Sequence, residues 1–262
     1  MKATTFSRIQ TGLRAAVAAA AIATAGHAMA APAAPAQPSV VIVHGAFADG
    51  SDWAKVIPLL QAKGIRVTAV QNPLTSLADD VAATRRALDN QPGKVVLVGH
   101  SWGGTVITEA GVHDKVASLV YVAAFAPDAG QATGELGKGL PTPPGIGKLS
   151  VDKAGFASLP PAALKEDFAQ DVPAVQAAVM AATQGPIAMK AFEDKTTVAA
   201  WKNHPSWYIV SKNDRMIQPD LERAFAKKIG AKTTELATSH VPQQSRPQDV
   251  AKVILDAVAA TK

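Results

Sequence analysis

A run of strand-forming residues that ends in a Gly-x-Ser-x-Gly motif places the strongest constraint on how this chain folds. Residues 94–98 read Lys-Val-Val-Leu-Val, and residues 99–107 read Gly-His-Ser-Trp-Gly-Gly-Thr-Val-Ile. This order predicts a buried strand, a sharp turn and a helix, with Ser101 at the apex of the turn. A Cβ at Gly99 or Gly103 would clash where strand and helix meet. We therefore expect Ser101 to adopt an unfavourable backbone conformation, with its hydroxyl above the sheet edge.

Strand-like and helix-like segments alternate along the rest of the chain. This alternation predicts an α/β fold, a doubly wound and mainly parallel six-stranded sheet with helices on both faces. The predicted strands cover residues 39–43, 65–70, 94–98, 118–124, 207–210 and 233–236. The predicted helices begin near residue 51, with a kink or late start at Pro58, and cover residues 77–88, 105–110, 220–229 and 246–259.

Residues 127–200 interrupt this alternation. Residues 127–161 are rich in Gly and Pro, and residues 162–200 are typical of short, alanine-rich helices. Ligands of such sheets bind beyond the carboxyl ends of the strands, so we interpret this insertion as a helical lid over that edge. The alternative is a disordered excursion, which the scarcity of core-forming residues favours for residues 134–148.

Residues 1–30 have the pattern of a secretory signal peptide. Three basic residues precede an apolar stretch at 15–25, and an Ala-Met-Ala sequence ends at Ala30. A bilayer span needs about 20 residues, so this stretch is too short for a stable membrane anchor. We expect a secreted or periplasmic protein that is cleaved after Ala30, with an extended Ala/Pro linker at residues 31–38 and one domain at residues 39–262.

The formal net charge of +5 owes much to this leader. Without its three basic residues the chain has 23 basic and 21 acidic residues, a net charge of +2, which does not indicate a nucleic-acid partner. The absence of cysteine excludes disulfide bonds, thiolate metal sites and a cysteine nucleophile. The Gly-Lys pairs at 137–138 and 147–148 lack the spacing of a phosphate-binding loop. The sequence therefore predicts no cofactor and no metal.

A serine hydroxyl is a poor nucleophile unless a base removes its proton. After residue 30 the chain has five histidines, which are His44, His100, His113, His204 and His240. We predict that His240 is the base, because a loop between the last strand and the last helix can bring it over Ser101. His44 and His100 lie at strand ends, where bracing the adjacent loop is the alternative role. The other two histidines have no partner that the sequence suggests.

Asp214 is the predicted acid, because it lies in the loop after the penultimate strand. There it would hold His240 in the correct tautomer and stabilise the imidazolium that forms during attack. Asp128, in the loop after the strand that ends at Ala124, is the alternative acid.

Negative charge that develops on a substrate carbonyl needs preorganised hydrogen-bond donors. We predict that the backbone N–H groups of Ala46 and Trp102 are these donors, since one follows the first strand and the other begins the helix after Ser101. The side chains of Phe47 and Trp102 are predicted to line the substrate pocket, with plain packing as the alternative.

These motifs together resemble those of the α/β-hydrolase family, in its branch of small lidded serine esterases. The order of nucleophile, acid and base along the chain matches that family. The first motif is similar to that of the plant methyl-ester esterases and hydroxynitrile lyases. The resemblance covers roughly residues 39–260, and the matching motifs are residues 43–46 for the oxyanion loop, 99–104 for the elbow, 213–214 with Pro219 for the acid and 239–240 for the base.

The resemblance implies a cofactor-independent serine hydrolase that cleaves small-molecule carboxylic esters by acyl transfer. Val241 follows the base where the lyases have a lysine, which disfavours cyanide elimination. Ser101 stands where haloalkane dehalogenases and epoxide hydrolases have an aspartate nucleophile, and the family's first two strands are absent from the predicted elements. The alternatives are a lyase or perhydrolase reaction on the same triad, and a ligand-binding protein that retains it.

Overall fold

The computed structural model describes residues 37–261. The predicted signal peptide, its cleavage site after Ala30 and most of the predicted linker lie outside these described residues. Within the described residues, regular structure begins at Ser39. Within residues 37–261, no helix is long and apolar enough to cross a membrane.

Two sheets are present in the described part of the chain. The strands are β1 (Ser39–Val43), β2 (Val67–Val70), β3 (Val95–His100), β4 (Val116–Val122), β5 (Ser150–Val151), β6 (Phe156–Ser158), β7 (Ile187–Ala188), β8 (Ser206–Ser211) and β9 (Lys232–Leu236). The larger sheet has the order β2-β1-β3-β4-β8-β9, and each neighbouring pair in it is parallel. The predicted six-stranded α/β sheet is thus confirmed.

Helices cover both faces of the larger sheet. They are α1 (Ile57–Gln61), α2 (Leu77–Asp89), α3 (Trp102–Ala110), α4 (Pro161–Ala163), α5 (Ala174–Thr183), α6 (Pro219–Lys228), α7 (Pro242–Ser245) and α8 (Pro247–Ala260). Helices α1 and α8 pack on one face, and α2, α3 and α6 pack on the other. The first predicted helix is split into a 3-10 turn at Gly50–Trp53 and the short α1, because Pro58 is accommodated only in the first turn of a helix.

Strand β1 shows why the sheet is buried on both sides. Its side chains alternate between two apolar clusters, with Val41 and Val43 in one and Val40 and Ile42 in the other. All four are fully buried. Burial of each such side chain contributes about 1.5–3 kcal/mol, so a continuous β-branched run stabilises a central strand more than an edge strand.

The strand register brings the carboxyl ends of the central strands to one edge. Val43, at the end of β1, pairs with Gly99, near the end of β3. Ser211, at the end of β8, pairs with Leu236, at the end of β9. The loops after these four strands therefore emerge on the same side of the sheet, which is where ligands of such folds bind.

The insertion at residues 127–200 is predicted to be helical, but the structure shows that it is only partly so. It includes the antiparallel sheet β5-β6-β7. These strands have two or three residues each, too few for a periodic pattern in the sequence. Helix α4 continues as a π-helix at Leu164–Phe168, and α5 follows. The Gly/Pro-rich segment contains two 3-10 turns, Thr133–Glu135 and Ile146–Lys148, and lies beside the carboxyl edge of the larger sheet.

Candidate active site

Ser101 joins β3 to α3 in a strained conformation. Its φ of 53° and ψ of −120° are rarely adopted by a residue with a Cβ. The backbone around it is fully engaged, because its N–H donates to the carbonyl of Val122 at 3.2 Å and its carbonyl accepts from the N–H groups of Gly104 and Phe125 at 2.9 and 3.2 Å. The predicted strand, strained turn and helix are confirmed.

Three glycines let the backbone segments around the serine approach each other. A Cβ at Gly99 would lie 2.5 Å from the carbonyl oxygen of Gly103, and a Cβ at Gly103 would overlap the carbonyl oxygen of Val43. The predicted clash at both positions is confirmed. A Cβ at Gly45 would lie 2.7 Å from the Cβ of Ser101, so the loop after β1 also packs directly against the serine.

His240 and Asp214 are hydrogen-bonded in the loops after β9 and β8. The Nδ1–H of His240 donates to Oδ2 of Asp214 at 2.5 Å, and both side chains are buried. Oδ1 of Asp214 accepts from the N–H groups of Met216 and Ile217 at 2.6 and 2.9 Å. Three donors on one carboxylate suit a negative charge. The proton on Nδ1 leaves the Nε2 lone pair of His240 free to accept another proton.

The loop that carries His240 is held from several sides. His100 donates from Nε2–H to the carbonyl of His240 at 2.8 Å, and the Phe168 ring packs edge-on against the His240 ring at a centroid distance of 5.1 Å. The N–H of Ser239 donates to Oδ2 of Asp171 at 2.8 Å. Burial and the nearby His240 keep the pKa of His100 well below its usual value, so His100 is a neutral brace.

His44 braces the loop after β1. Its Nδ1–H donates to the carbonyl of Gly45 at 2.8 Å, and its Nε2 accepts from the backbone N–H of Asn72 at 2.9 Å. The Asn72 side chain donates in turn to the His44 carbonyl at 3.0 Å. Burial lowers the pKa of His44. The loop then turns through Phe47, whose φ is 59°.

The two N–H groups predicted to form an oxyanion hole border the same cavity as Ser101. Ala46 and Trp102 both line this cavity. Neither N–H donates a hydrogen bond to another group within residues 37–261. Trp102 is the first residue of α3, where an N–H has no partner inside the helix and the helix dipole favours negative charge. Both amides are therefore available to a ligand oxygen.

A buried aspartate that the sequence analysis missed fixes the indole of Trp102. Oδ2 of Asp80 accepts from the indole N–H at 2.7 Å, and Oδ1 accepts from the N–H of Leu74 at 2.8 Å. Burial raises the pKa of Asp80 to about 6, although both hydrogen bonds oppose this shift. The signal was its spacing of three residues from Leu77, which puts an acidic residue on the apolar face of α2. The indole also packs edge-on against Phe192 at 5.4 Å.

A cavity of about 440 Å³ opens onto Ser101 and His240. Phe47 and Trp102 line it, together with residues of the insertion. The lining is mainly apolar, and Lys138, which is exposed, is the formally charged residue among the described lining residues. The larger apolar contributors are Phe125, Leu149, Phe192, Met216, Ile217 and Leu221.

The alternative acid, Asp128, and the histidines at positions 113 and 204 lie away from the cavity. Asp128 pairs with Lys202 at 2.8 Å and with Lys228 at 3.6 Å, and the hydrogen bond from Lys202 is the main cause that lowers its pKa. Asp128, His113 and His204 do not line the cavity. In the part of the chain that the structure describes, no cluster of three or more His, Cys, Asp or Glu could hold a metal ion.

Sequence comparison agrees with this fold. Residues 40–253 match the alpha/beta hydrolase family, so the chain belongs to that family. A pyrethroid hydrolase of Sphingobium wenxiniae is 28% identical over 255 residues, which covers 83% of this chain and 86% of the relative. Methylesterase 2 of Arabidopsis thaliana is 39% identical over 108 residues, or 34% of this chain and 40% of the relative. The family and these relatives make the chain an enzyme of the serine hydrolase type, as predicted.

Solved structures share the fold over most of the chain. A pyrethroid hydrolase from Sphingobium faniae superposes with a TM-score of 0.73 at 23% identity, covering 85% of this chain and 98% of that one. A polyneuridine aldehyde esterase superposes with a TM-score of 0.74 at 21% identity, covering 85% of this chain and 99% of that one. At these identities the likeness establishes the architecture alone.

Proposed function

We propose that this enzyme hydrolyses carboxylic esters of small molecules by acyl transfer. In this proposal Ser101 is the nucleophile, His240 is the general base, and Asp214 orients and stabilises it. The observation that carries the proposal is the 2.5 Å hydrogen bond between His240 and Asp214, in loops that border the same cavity as a serine on a strained turn. Nucleophile, base and orienting acid are the parts that such chemistry requires.

The proposed reaction has two stages. The Ser101 oxygen attacks the ester carbonyl carbon while His240 takes the serine proton on Nε2. The oxyanion of the tetrahedral intermediate accepts hydrogen bonds from the N–H groups of Ala46 and Trp102, and such a donor is typically worth about 2.7–4 kcal/mol of barrier. His240 gives the proton to the leaving alkoxide oxygen, and the alcohol departs. In the second stage His240 takes a proton from water, and the hydroxide attacks the carbonyl carbon of the acyl-enzyme. The bond from that carbon to the Ser101 oxygen then breaks, His240 returns the proton to Ser101, and the carboxylic acid leaves.

The cavity favours an apolar ester. Its aromatic and aliphatic lining offers few hydrogen-bond partners, and an apolar acyl or alcohol group would be desolvated there at little cost. Relatives named as a pyrethroid hydrolase and a methylesterase agree with ester substrates. We also propose that residues 127–200 act as a lid, because this insertion supplies much of the cavity wall that faces Ser101.

Labelling with a fluorophosphonate probe tests the nucleophile. The wild type should be labelled, Ser101→Ala should not, and Ser150→Ala, which changes an exposed serine of β5, should be labelled like the wild type. Turnover of p-nitrophenyl esters should rise with acyl chain length until the cavity is filled, and His240→Ala should lower kcat by roughly 10⁴-fold or more. A folded wild type that resists the probe, or equal labelling of Ser101→Ala, would refute the assignment. Labelling without turnover of any ester would favour the ligand-binding alternative.

A further inference from the structure

Glu222 is a fully buried carboxyl group that the proposed reaction does not use. It lies in the first part of α6 and has no exposed surface. Its Oε2 accepts a hydrogen bond from the N–H of Ser211 at 3.0 Å. Its Oε1 has no hydrogen-bond donor within the described residues. Burying a charged carboxylate with a single donor is strongly unfavourable, so the protonation state of this group needs an explanation.

The same turn connects Glu222 to Asp214. Ser211 gives its N–H to Glu222, and its carbonyl accepts the N–H of Asp214 at 3.2 Å. Through this turn the Asp214 carboxyl group is the acidic neighbour of Glu222, and its charge contributes to raising the pKa of Glu222. A second negative charge beside a buried carboxylate is strongly unfavourable, which favours a proton on one of the two groups.

The donors around the pair decide where that proton lies. The Asp214 carboxylate receives three hydrogen bonds, from Met216, Ile217 and His240, whereas Glu222 receives one. We propose that Glu222 is a neutral carboxylic acid that donates its proton in a hydrogen bond to Asp214, and so positions the single negative charge that faces His240. Protonation also removes the cost of burying a charged oxygen that has no donor, as Oε1 would otherwise be.

The surroundings support the neutral form. Burial and the neighbouring Asp214 raise the pKa of Glu222 well above its usual value. Besides His240, the titratable groups near the pair are Tyr208 of β8 and Arg223 of α6. Arg223 is already paired with Asp220 and Glu235 at the surface, so it does not neutralise a buried charge on Glu222.

Glu222 is thus a positioning residue that acts through Asp214, and its role rests on the proposed function. A second negative charge beside Asp214 would make protonated His240 harder to deprotonate, which would move the acid limb of the pH profile to higher pH. A neutral Glu222 can donate a hydrogen bond to the Asp214 carboxylate without adding a negative charge beside His240. The prediction is therefore specific to the proton on Glu222 and not only to the volume of its side chain.

The activity test compares Glu222→Gln with Glu222→Ala. Glutamine keeps a neutral donor for Asp214 and an acceptor for Ser211, so kcat should stay within about three-fold of the wild type. The acid limb of kcat/KM should stay within about 0.3 pH units. Alanine removes both contacts, and kcat should fall roughly ten-fold with KM little changed. A downward shift of the acid limb by about one pH unit or more in Glu222→Gln would overturn the proposal, because it would mean that a charge had been removed.

Infrared spectroscopy tests the proton directly and needs no turnover. The wild type at pH 7.5 should show the C=O stretch of a protonated carboxyl group. The difference spectrum against Glu222→Gln should show that the Glu222 band is lost. Glu235→Gln, which changes an exposed glutamate held below its usual pKa by the hydrogen bond from Arg223, should leave the band unchanged. A wild type without the band, or a difference spectrum against Glu222→Gln in which no such band is lost, overturns the proposal. If instead Ser101 resists the probe while the band is present, the proposed function fails and the protonation of Glu222 stands.

Discussion

The two halves of the site are held in different ways. Around the nucleophile, backbone segments pack directly against each other, whereas around the base, side chains from segments distant in the chain hold a loop. The nucleophile half comprises residues 43–47 and 99–104, and its segments approach so closely that three glycines have no room for a Cβ. The base half comprises Asp214, His240 and their hydrogen-bond partners. Steric exclusion fixes the identity of a residue, but a hydrogen bond can be supplied from many positions.

This difference predicts how each half responds to substitution. Close backbone contact cannot relax without moving a strand or a helix, because interiors are packed at crystal-like density. A substitution in a polar network removes a single hydrogen bond, and a neighbouring group or a water molecule replaces part of the stabilisation that is lost. Substitutions of the glycines in the nucleophile half should therefore act on folding, and substitutions in the base half should act on rate.

The largest effect is expected for Gly103→Ala. Its new Cβ would overlap the carbonyl oxygen of Val43 and approach that of His44 at 2.9 Å, and both are backbone atoms that cannot rotate away. We expect destabilisation of about 3 kcal/mol or more, with loss of esterase activity. Urea unfolding monitored by circular dichroism measures this.

Gly93→Ala is the matched control, because a Cβ there meets no atom within 4 Å. Its unfolding free energy should stay within about 0.5 kcal/mol of the wild type. A Gly103→Ala protein as stable as Gly93→Ala would contradict the steric account of the nucleophile half.

The next effect is expected for Asp214→Asn, and it should appear in rate. An amide cannot hold His240 in the same tautomer, and it does not stabilise the imidazolium, so kcat should fall roughly 10⁴-fold in a folded protein. Asp128→Asn is the matched control. It removes a half-buried pairing with Lys202 and Lys228 that lies away from the cavity, and kcat should remain within two-fold. Steady-state kinetics with one apolar ester compares both variants. An equal loss of kcat in the two variants would contradict the assignment of Asp214, and not Asp128, as the acid.

The sequence predicts the nucleophile half in more detail than the base half, because close steric contacts leave a local sequence pattern and long-range hydrogen bonds do not. The strand, the turn and the glycines around Ser101 follow from a motif of fixed spacing, and the sheet follows from continuous β-branched runs such as residues 39–43. The positions of Asp214 and His240 follow from strand order. In contrast, the contacts of Glu222 and Asp171 join segments far apart in the chain, and no local pattern marks them.

The predictability of Asp80 is intermediate between that of the glycines around Ser101 and that of Glu222. An acidic residue on the apolar face of α2 signals a buried partner, but the sequence does not say that the partner is the Trp102 indole. The small sheet of the insertion was missed because its strands are too short for periodicity. Predictability from sequence therefore decreases as the stabilising contact becomes less steric and less local.

The smallest effect should come from Asp171→Ala. Asp171 is an exposed residue of the insertion, and its carboxylate accepts the N–H of Ser239, next to His240. Water replaces much of this acceptor, so kcat should fall only about three- to five-fold. KM should not change, because Asp171 does not line the cavity. Asp171→Asn keeps a side-chain oxygen as acceptor and should recover most of the rate. If alanine and asparagine reduce kcat equally, charge at this position matters rather than the hydrogen bond. If neither reduces kcat, the hydrogen bond from Ser239 to Asp171 does not help to position the base, which is then held by His100, Asp214 and the packing of Phe168.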